Sequence, residues 1–213
     1  MDKTKAKKIF ELLDDLIKNP VTELEYSNNF ELLIAVMLSA QCTDKRVNSV
    51  TKDLFKRCNT PSQFAAISQH ELEQLIHPCG FYHNKAKNII ACSKMLCDQF
   101  NGQVPGDFDS LVSLPGVGRK TANVMLIVAF NIPAIPVDTH IFRVSNRLGL
   151  TNAKTEVECE QQLVKLFADQ KHLWGKLHHL ILLFGRYNCK AINPSCSNCI
   201  LKSYCKYYNK KEK

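Results

Sequence analysis

No apolar run in this chain is long enough to cross a membrane. The longest, Leu32 to Leu38 and Val124 to Phe130, have seven residues each, against about 20 for a bilayer span. A signal core is lacking too: the lysine-rich start, Met1 to Lys8, leads into Ile9, Phe10, Glu11 and Leu12 with acids close behind. A soluble, cytoplasmic protein is expected. Period-two strand patterns flanked by hairpin turns are absent, as are internal repeats and low-complexity tracts, which sets aside β-sandwiches and solenoids. The chain is also short of acids, with 20 Asp and Glu against 28 Lys and Arg, a formal charge of +8. That excess favours a polyanionic partner through phosphate contacts and counterion release. With 45% hydrophobic and 23% charged residues over 213 positions, the composition is that of a folded protein with a sizeable core.

What is present reads almost entirely as helix. Residues 5 to 18 put Ile9, Leu12, Leu13, Leu16 and Ile17 on one face. Asn29 is a candidate cap for a helix from Phe30 to about Ala40, and Thr43 and Asp44 for the next, ending near Cys58. Thr60 followed by Pro61 gives a cap with proline at the first helical position. Ser68-x-x-Glu71 and Thr155-x-x-Glu158 have the capping-box spacing. Gly80 and Gly102 mark stops or turns. The segment from Asn131 to Pro136, with prolines at 133 and 136, must leave the helix, and is the best crossing point between two helical lobes. The expected fold is all-α.

Cysteine is abundant, with ten residues. Chain size and the lack of a signal peptide argue against a secreted disulfide framework. Cys42, Cys58, Cys79, Cys92, Cys97 and Cys159 are scattered without ligand-like spacing, and Cys92 and Cys97 read as small core residues of a helix. Cys189, Cys196, Cys199 and Cys205 differ: they fall within 17 residues, spaced C-x6-C-x2-C-x5-C. Four thiolates in one weakly periodic loop (189–205) can wrap a metal centre that replaces a missing apolar core. Zinc and an iron–sulfur cluster both take four thiolates, but zinc usually pairs two short units, and only Cys196 with Cys199 is one. The loop and tail carry Lys190, Lys202, Lys206, Lys210, Lys211 and Lys213 against one acid, Glu212. That basic frame suits a phosphate backbone at least as well as a redox partner.

The most informative stretch runs Leu114, Pro115, Gly116, Val117, Gly118, Arg119, Lys120, Thr121, Ala122. Proline stops one helix, two glycines allow a tight turn, and an apolar helix follows to Phe130. Such a hairpin offers backbone N–H groups to a phosphate without reading sequence; by itself it is also a plain helix–turn–helix corner. Lys120 falls in the first turn of the second helix. The helix end and partial burial at such a position both favour an uncharged amine, which can form a Schiff base with a sugar aldehyde. The plainer reading is a solvated lysine on phosphate. Asp138, in Val137 to Arg143, is either an N-cap or a carboxylate that stabilises a sugar cation and moves protons. His140 reads as structural or as a DNA contact.

Together the hairpin, the Val137, Asp138, Thr139, His140 run, the cysteine loop and the stretch Leu33 to Gln41 resemble the endonuclease III family of helix-hairpin-helix DNA glycosylases, from about residue 6 to Cys205. The resemblance implies two lobes, residues 21–132 with the helix-hairpin-helix at about 108–127, and residues 1–20 with 133–213. It implies one [4Fe–4S] cluster on Cys189, Cys196, Cys199 and Cys205, ordering a DNA-contacting loop. That core and its thiolates add about −2, bringing the effective charge to about +6. Double-stranded DNA with a damaged base or abasic site would lie in a cleft between the lobes, bound by a monomer. The damaged pyrimidine would be flipped out, with Lys120 attacking C1′, Asp138 supporting it, and β-elimination following. Leu114, Gly116, Val117, Gly118, Arg119 and His140 would contact the DNA, Gln41 would fill the gap left by the flipped nucleotide, and Phe81 would act as the apolar wedge. The sequence departs from the family in having Phe81 where leucine is usual and Cys42 where a small alanine is common.

Adenine-mismatch glycosylases share the hairpin, the aspartate and the cysteine spacing, but lack the nucleophilic lysine and carry a further C-terminal domain. Lys120 and an end eight residues after Cys205 favour the lyase. A non-catalytic lesion-binding protein would be favoured by loss of Lys120 or Asp138, and both are present. There is no phosphate-loop Gly-Lys-Ser/Thr, no His-Glu-x-x-His and no nucleophile elbow. His178 and His179, adjacent on a helix, should point apart.

Overall fold

The computed structural model describes residues 2–211; Met1, Glu212 and Lys213 lie outside the described residues. Among the described residues the regular structure is all helical. The chain forms two compact units, Glu23–Asn131 and Met1–Thr22 with Ile132–Lys213. The chain passes from one to the other at the head of the proline-containing segment.

The first unit holds α2 (Asn29–Leu38), α3 (Asp44–Arg57), α4 (Pro61–Ala66), α5 (Gln69–Ile76), α6 (Tyr82–Gln99), α7 (Phe108–Ser113) and α8 (Arg119–Ala129). Helix α2 is apolar on all sides, so it must be buried on all sides, and Leu32, Leu33, Ile34, Ala35 and Leu38 have no exposed surface. It starts one residue earlier than the sequence suggests. Asn28, not Asn29, is the cap: its side chain accepts from the Glu31 amide at 2.9 Å, and the Glu31 carboxylate accepts from the Ser27 amide at 2.7 Å. That reciprocal pair leaves the carboxylate of the buried Glu31 satisfied. Phe30 meets Phe64 of α4 edge to face, with centroids 5.4 Å apart. The Thr60 capping box to Gln63 is complete.

The second unit is built from α1 (Lys3–Leu16), α9 (Thr139–Leu148), α10 (Glu156–Leu166), α11 (Trp174–Tyr187) and α12 (Lys206–Lys211). Helix α1 begins before residue 5 because Asp2 accepts from the Thr4 amide, and it stops at Leu16 because Ile17 is extended. Ile9 and Leu13 are buried, whereas Leu16, expected on the same face, is 42% exposed. Helices α1 and α9 both pack on α11. The approach to α9 is close at Gly185, where an added Cβ would lie 3.1 Å from His140 Cβ and from Val144 Cγ2. The indole N–H of Trp174 donates to the Phe167 carbonyl at 2.9 Å.

His178 and His179 do not diverge as expected: their rings meet edge to face, with centroids 4.8 Å apart and planes inclined at 73°. His178 is buried and donates from Nδ1 to the Pro136 carbonyl at 2.8 Å. His179 Nδ1 is buried without a partner, and burial, aided by Arg186, pushes the ring's pKa down to about 4. Between that value and the unfolded value of 6.5, the unfolded chain binds the extra proton, so stability falls as pH falls. Wild type is expected to lose about 2 kcal/mol more than His179→Gln between pH 7 and pH 4, after allowing for solvent screening. Urea unfolding at the two pH values reads this, and equal losses would remove His179 from the acid response.

Candidate active site and cluster loop

In the first unit, α7 ends at Ser113 and the chain turns through Leu114 to Gly118 into α8. Leu114 and Val117 are buried, and the Val117 amide donates to the Leu114 carbonyl at 3.0 Å. Their side chains therefore pin the turn from beneath, and any DNA contact from these two positions runs through the backbone. Gly116 has φ +79°, and a Cβ there would come within 2.8 Å of both Asn88 Cβ and Met37 Cε. Only glycine satisfies both the backbone and the packing. Gly118, with φ −90°, begins α8 and offers no side-chain cap, so the start of α8 keeps the character of an anion site. The Arg119 guanidinium lies over the Phe108 ring at 5.2 Å. Lys120, the second residue of α8, is exposed, which corrects the expected partial burial.

Gln41 and Phe81 are both exposed and both in the left-handed region, with φ +53° and +49°. For a non-glycine residue that conformation costs about 1–2 kcal/mol. The two loops are tied by a residue that sequence reasoning missed. Lys85 on α6 is buried, and its ammonium donates to the carbonyls of Leu38 and Cys79, each at 2.8 Å. Leu38 ends α2 just before Gln41, and Cys79 closes a short 3-10 turn (His77–Cys79) just before Phe81. Burial lowers the lysine's pKa. The available signal was position, since Lys85 opens the buried stripe Lys85, Ile89, Cys92, Leu96 of α6. Arg46 adds a bond to the Pro78 carbonyl at 3.3 Å. Cys79 is buried here, and burial pushes its thiol pKa up to about 11, with Lys85 and Arg46 pulling it the other way.

In the second unit, Asp138 caps α9 and is half-buried, its Oδ1 accepting from the Ile141 amide at 2.8 Å. The residues ahead of it, Ala134 to Val137, are buried. His140 is half-buried, with Nδ1 3.2 Å from the Arg143 guanidinium. Arg143 reaches across to the carbonyls of Gly185 at 2.8 Å and Cys189 at 3.1 Å. One turn on, Arg147 donates to the carbonyls of Lys190 at 2.7 Å and Ala191 at 3.0 Å, lies 3.5 Å from Cys189 Sγ, and covers the Tyr207 ring. Neither arginine stood out in the sequence; each is one of many basic residues until the fold brings the loop to α9.

All ten cysteines are free thiols. Cys189, Cys196, Cys199 and Cys205 line one cavity of about 170 Å³, together with Leu148, Phe184 and Tyr207. Burial raises the Cys199 pKa, and its three companions raise it further. Among the described residues no group of three or more Cys, His, Asp or Glu is arranged around a single metal ion. A cluster makes a different demand, since each thiolate takes its own iron and the four need only surround a common space. The donor set and shared cavity fit such a group.

The chain matches the HhH-GPD superfamily base excision DNA repair protein model over residues 34–169. It is 49% identical over 202 residues to endonuclease III of Bacillus subtilis (strain 168), covering 94% of this chain and 91% of that protein. To endonuclease III of Escherichia coli (strain K12) it is 43% identical, with 99% of each covered. Among solved structures, a trapped endonuclease III–DNA covalent intermediate superposes with a TM-score of 0.95 at 46% identity, covering all of both chains.

The hairpin geometry separates its two glycines. Gly116→Ala is expected to cost about 2–4 kcal/mol in unfolding free energy, from positive φ and from contact with Met37 and Asn88. Gly118→Ala, facing open space, is expected to stay within about 0.5 kcal/mol. Equal losses in denaturant titrations would contradict this account of the turn.

Proposed function

Because the chain belongs to the endonuclease III family, and is a DNA glycosylase and abasic-site lyase of base-excision repair, we propose that Lys120 is its nucleophile and Asp138 the carboxylate that supports it. The observation that carries this is the pair of helix starts. Lys120 stands exposed in the first turn of the uncapped α8, beside backbone suited to phosphate. Asp138 is held by its own α9, one oxygen accepting from Ile141 and the group half-exposed.

The partner is DNA carrying a damaged base, and we propose oxidised pyrimidines as the lesions. Lys120 Nζ attacks C1′ as the base leaves. Asp138 stabilises the positive charge that develops on the sugar and then relays the proton from the lysine nitrogen to the ring oxygen O4′, as the C1′–O4′ bond breaks and the ring opens to the imine. The resulting imine acidifies the C2′ proton, whose removal expels the 3′ phosphate. Gln41 and Phe81 enter the duplex at the extruded nucleotide. The charged nitrogen of the imine keeps favourable interaction with the phosphates around it.

We further propose that Cys189, Cys196, Cys199 and Cys205 hold one [4Fe–4S] cluster. When bound, it supplies four iron–thiolate bonds that order the loop carrying Lys190 and Lys202. Arg143 and Arg147 hold the backbone at the first of these cysteines, so α9 and the loop form one piece. Protein purified without air is expected to contain iron and inorganic sulfide in equal numbers, both lost in Cys199→Ala. Zinc without sulfide would sink the cluster assignment.

The catalytic assignment is tested with a duplex containing one thymine glycol and borohydride. A covalent protein–DNA adduct is expected, and its absence from Lys120→Ala. Asp138→Asn should lower base release by about 10²–10⁴-fold while stability changes by less than about 1 kcal/mol, because asparagine caps helices as well as aspartate. An adduct that persists in Lys120→Ala would move the nucleophile elsewhere. Base release without any adduct or nicking would favour a monofunctional glycosylase.

A further inference from the structure

Gln41 and Phe81 each hold a backbone conformation that non-glycine residues keep only where their surroundings fix it. One group serves both. Leu38, shortly before Gln41, ends α2, where the last carbonyls have no donor within the helix. Cys79, shortly before Phe81, ends the 3-10 turn. The Lys85 ammonium donates to the carbonyls of both, at 2.8 Å each. Its backbone amide donates to the carbonyl of Phe81 itself at 3.1 Å. Around Gln41 the chain is closed locally: the Cys42 amide donates to the Ser39 carbonyl at 3.0 Å, and the Ser39 hydroxyl to the Val36 carbonyl at 2.8 Å. Each loop is thus a short, bonded turn, and Lys85 joins one to the other.

Lys85 is 8% exposed. A buried ammonium loses hydration that only good acceptors replace, and the two carbonyls supply it. The stem lies on the buried face of α6 with Ile89, Cys92 and Leu96, so the nitrogen is carried on a stiff base. An apolar side chain here would leave both carbonyls without this donor. Arg46, exposed on α3, bonds only the Pro78 carbonyl at 3.3 Å. It steadies one loop and cannot relate it to the other.

We propose that Lys85 is the positioning residue for nucleotide extrusion, holding Gln41 and Phe81 at a fixed spacing so that both enter the duplex together. This rests on the insertion roles proposed above for those two residues. Extrusion breaks stacking and pairing, and the side chains that fill the gap hold the opened state. Two fillers on independent loops would each have to be ordered at that step. On a shared support their order exists beforehand, so less is lost when DNA arrives. Lys85 itself stays beneath the surface and acts only through the two loops.

A double-mutant cycle on holoenzyme tests this, read as single-turnover release of thymine glycol from a duplex at saturating enzyme. Lys85→Met keeps the length of the stem and removes the ammonium. It is expected to slow release by about tenfold or more in the wild-type background. Where Gln41→Ala and Phe81→Ala have already removed the two side chains, it should slow release by less than about twofold. Amide exchange at Cys42 and Gly80, whose N–H groups are bonded to Ser39 and His77, should rise about tenfold while the interiors of α2 and α6 stay unchanged. An equal loss of rate in both backgrounds, or no loss in the wild type, would overturn the proposal. So would faster exchange throughout α2 and α6, which would make Lys85 a support of the whole unit. If Gln41→Ala with Phe81→Ala releases base at the wild-type rate, the insertion roles fail and positioning fails with them. A defect in that variant beside a harmless Lys85→Met condemns positioning alone.

Discussion

Every α-helix leaves its first amide groups without an acceptor in the helix, and this chain places its chemistry where that constraint is answered in unusual ways. Most helices are closed by a short polar side chain: Asp2, Asn28, Thr43, Thr60, Ser68, Asp107 and Thr155 each accept from an amide in the first turn. Of the other starts, α11 follows Leu173 with no side-chain cap, and three more differ in ways that bear on the chemistry. At α8 the cap is Gly118, which has no side chain to give. At α9 the cap is Asp138 itself, so one carboxylate oxygen answers the backbone's shortage while the residue stays half-exposed. At α6 the cap is Phe81, in the left-handed region with its ring exposed. These three positions are the ones the proposed function uses.

The cluster loop answers a second shortage. Residues 189–205 bury little: Leu201 and Cys205 are the buried side chains in this stretch. Order comes from outside, through the two arginines of α9. They hold the Gly185, Cys189, Lys190 and Ala191 carbonyls, and Arg147 stacks on Tyr207. Four thiolates bonded to one inorganic core would add the contacts that hydrophobic packing does not. The loop therefore depends on α9 at one end and on its own cysteines at the other.

Much of the fold was legible because its signals are local. Caps such as Thr43, Thr60, Ser68 and Thr155 act within one turn, and the glycines at 80 and 102 take the positive φ their positions suggested. The hairpin and the aspartate were legible for the same reason. Errors were also local: Asn28 and Asn29 compete for one cap, and the one with the reciprocal Glu31 three residues on won. What could not be read was contact across sequence. Lys85 looks like any surface lysine of a polar helix until α2 and the 3-10 turn close over it. Partial burial of Lys120 was inferred from the helix start alone, yet the glycine turn leaves its side chain open.

Gly185 carries a consequence beyond packing. With hydrogen as its only side chain, it lets α11 touch α9 at His140 and Val144, within two residues of Asp138 at the nearer contact. A helix is stiff over one turn, so a wedge at His140 works like a shim under the short end of a lever. An added methyl group there would have to push His140 and Val144 back by a few tenths of an ångström, two residues from the Asp138 carboxylate, with no atom of the proposed chemistry replaced. The spacing of the two helices beside the carboxylate's turn is thus set by one hydrogen atom on the neighbouring helix.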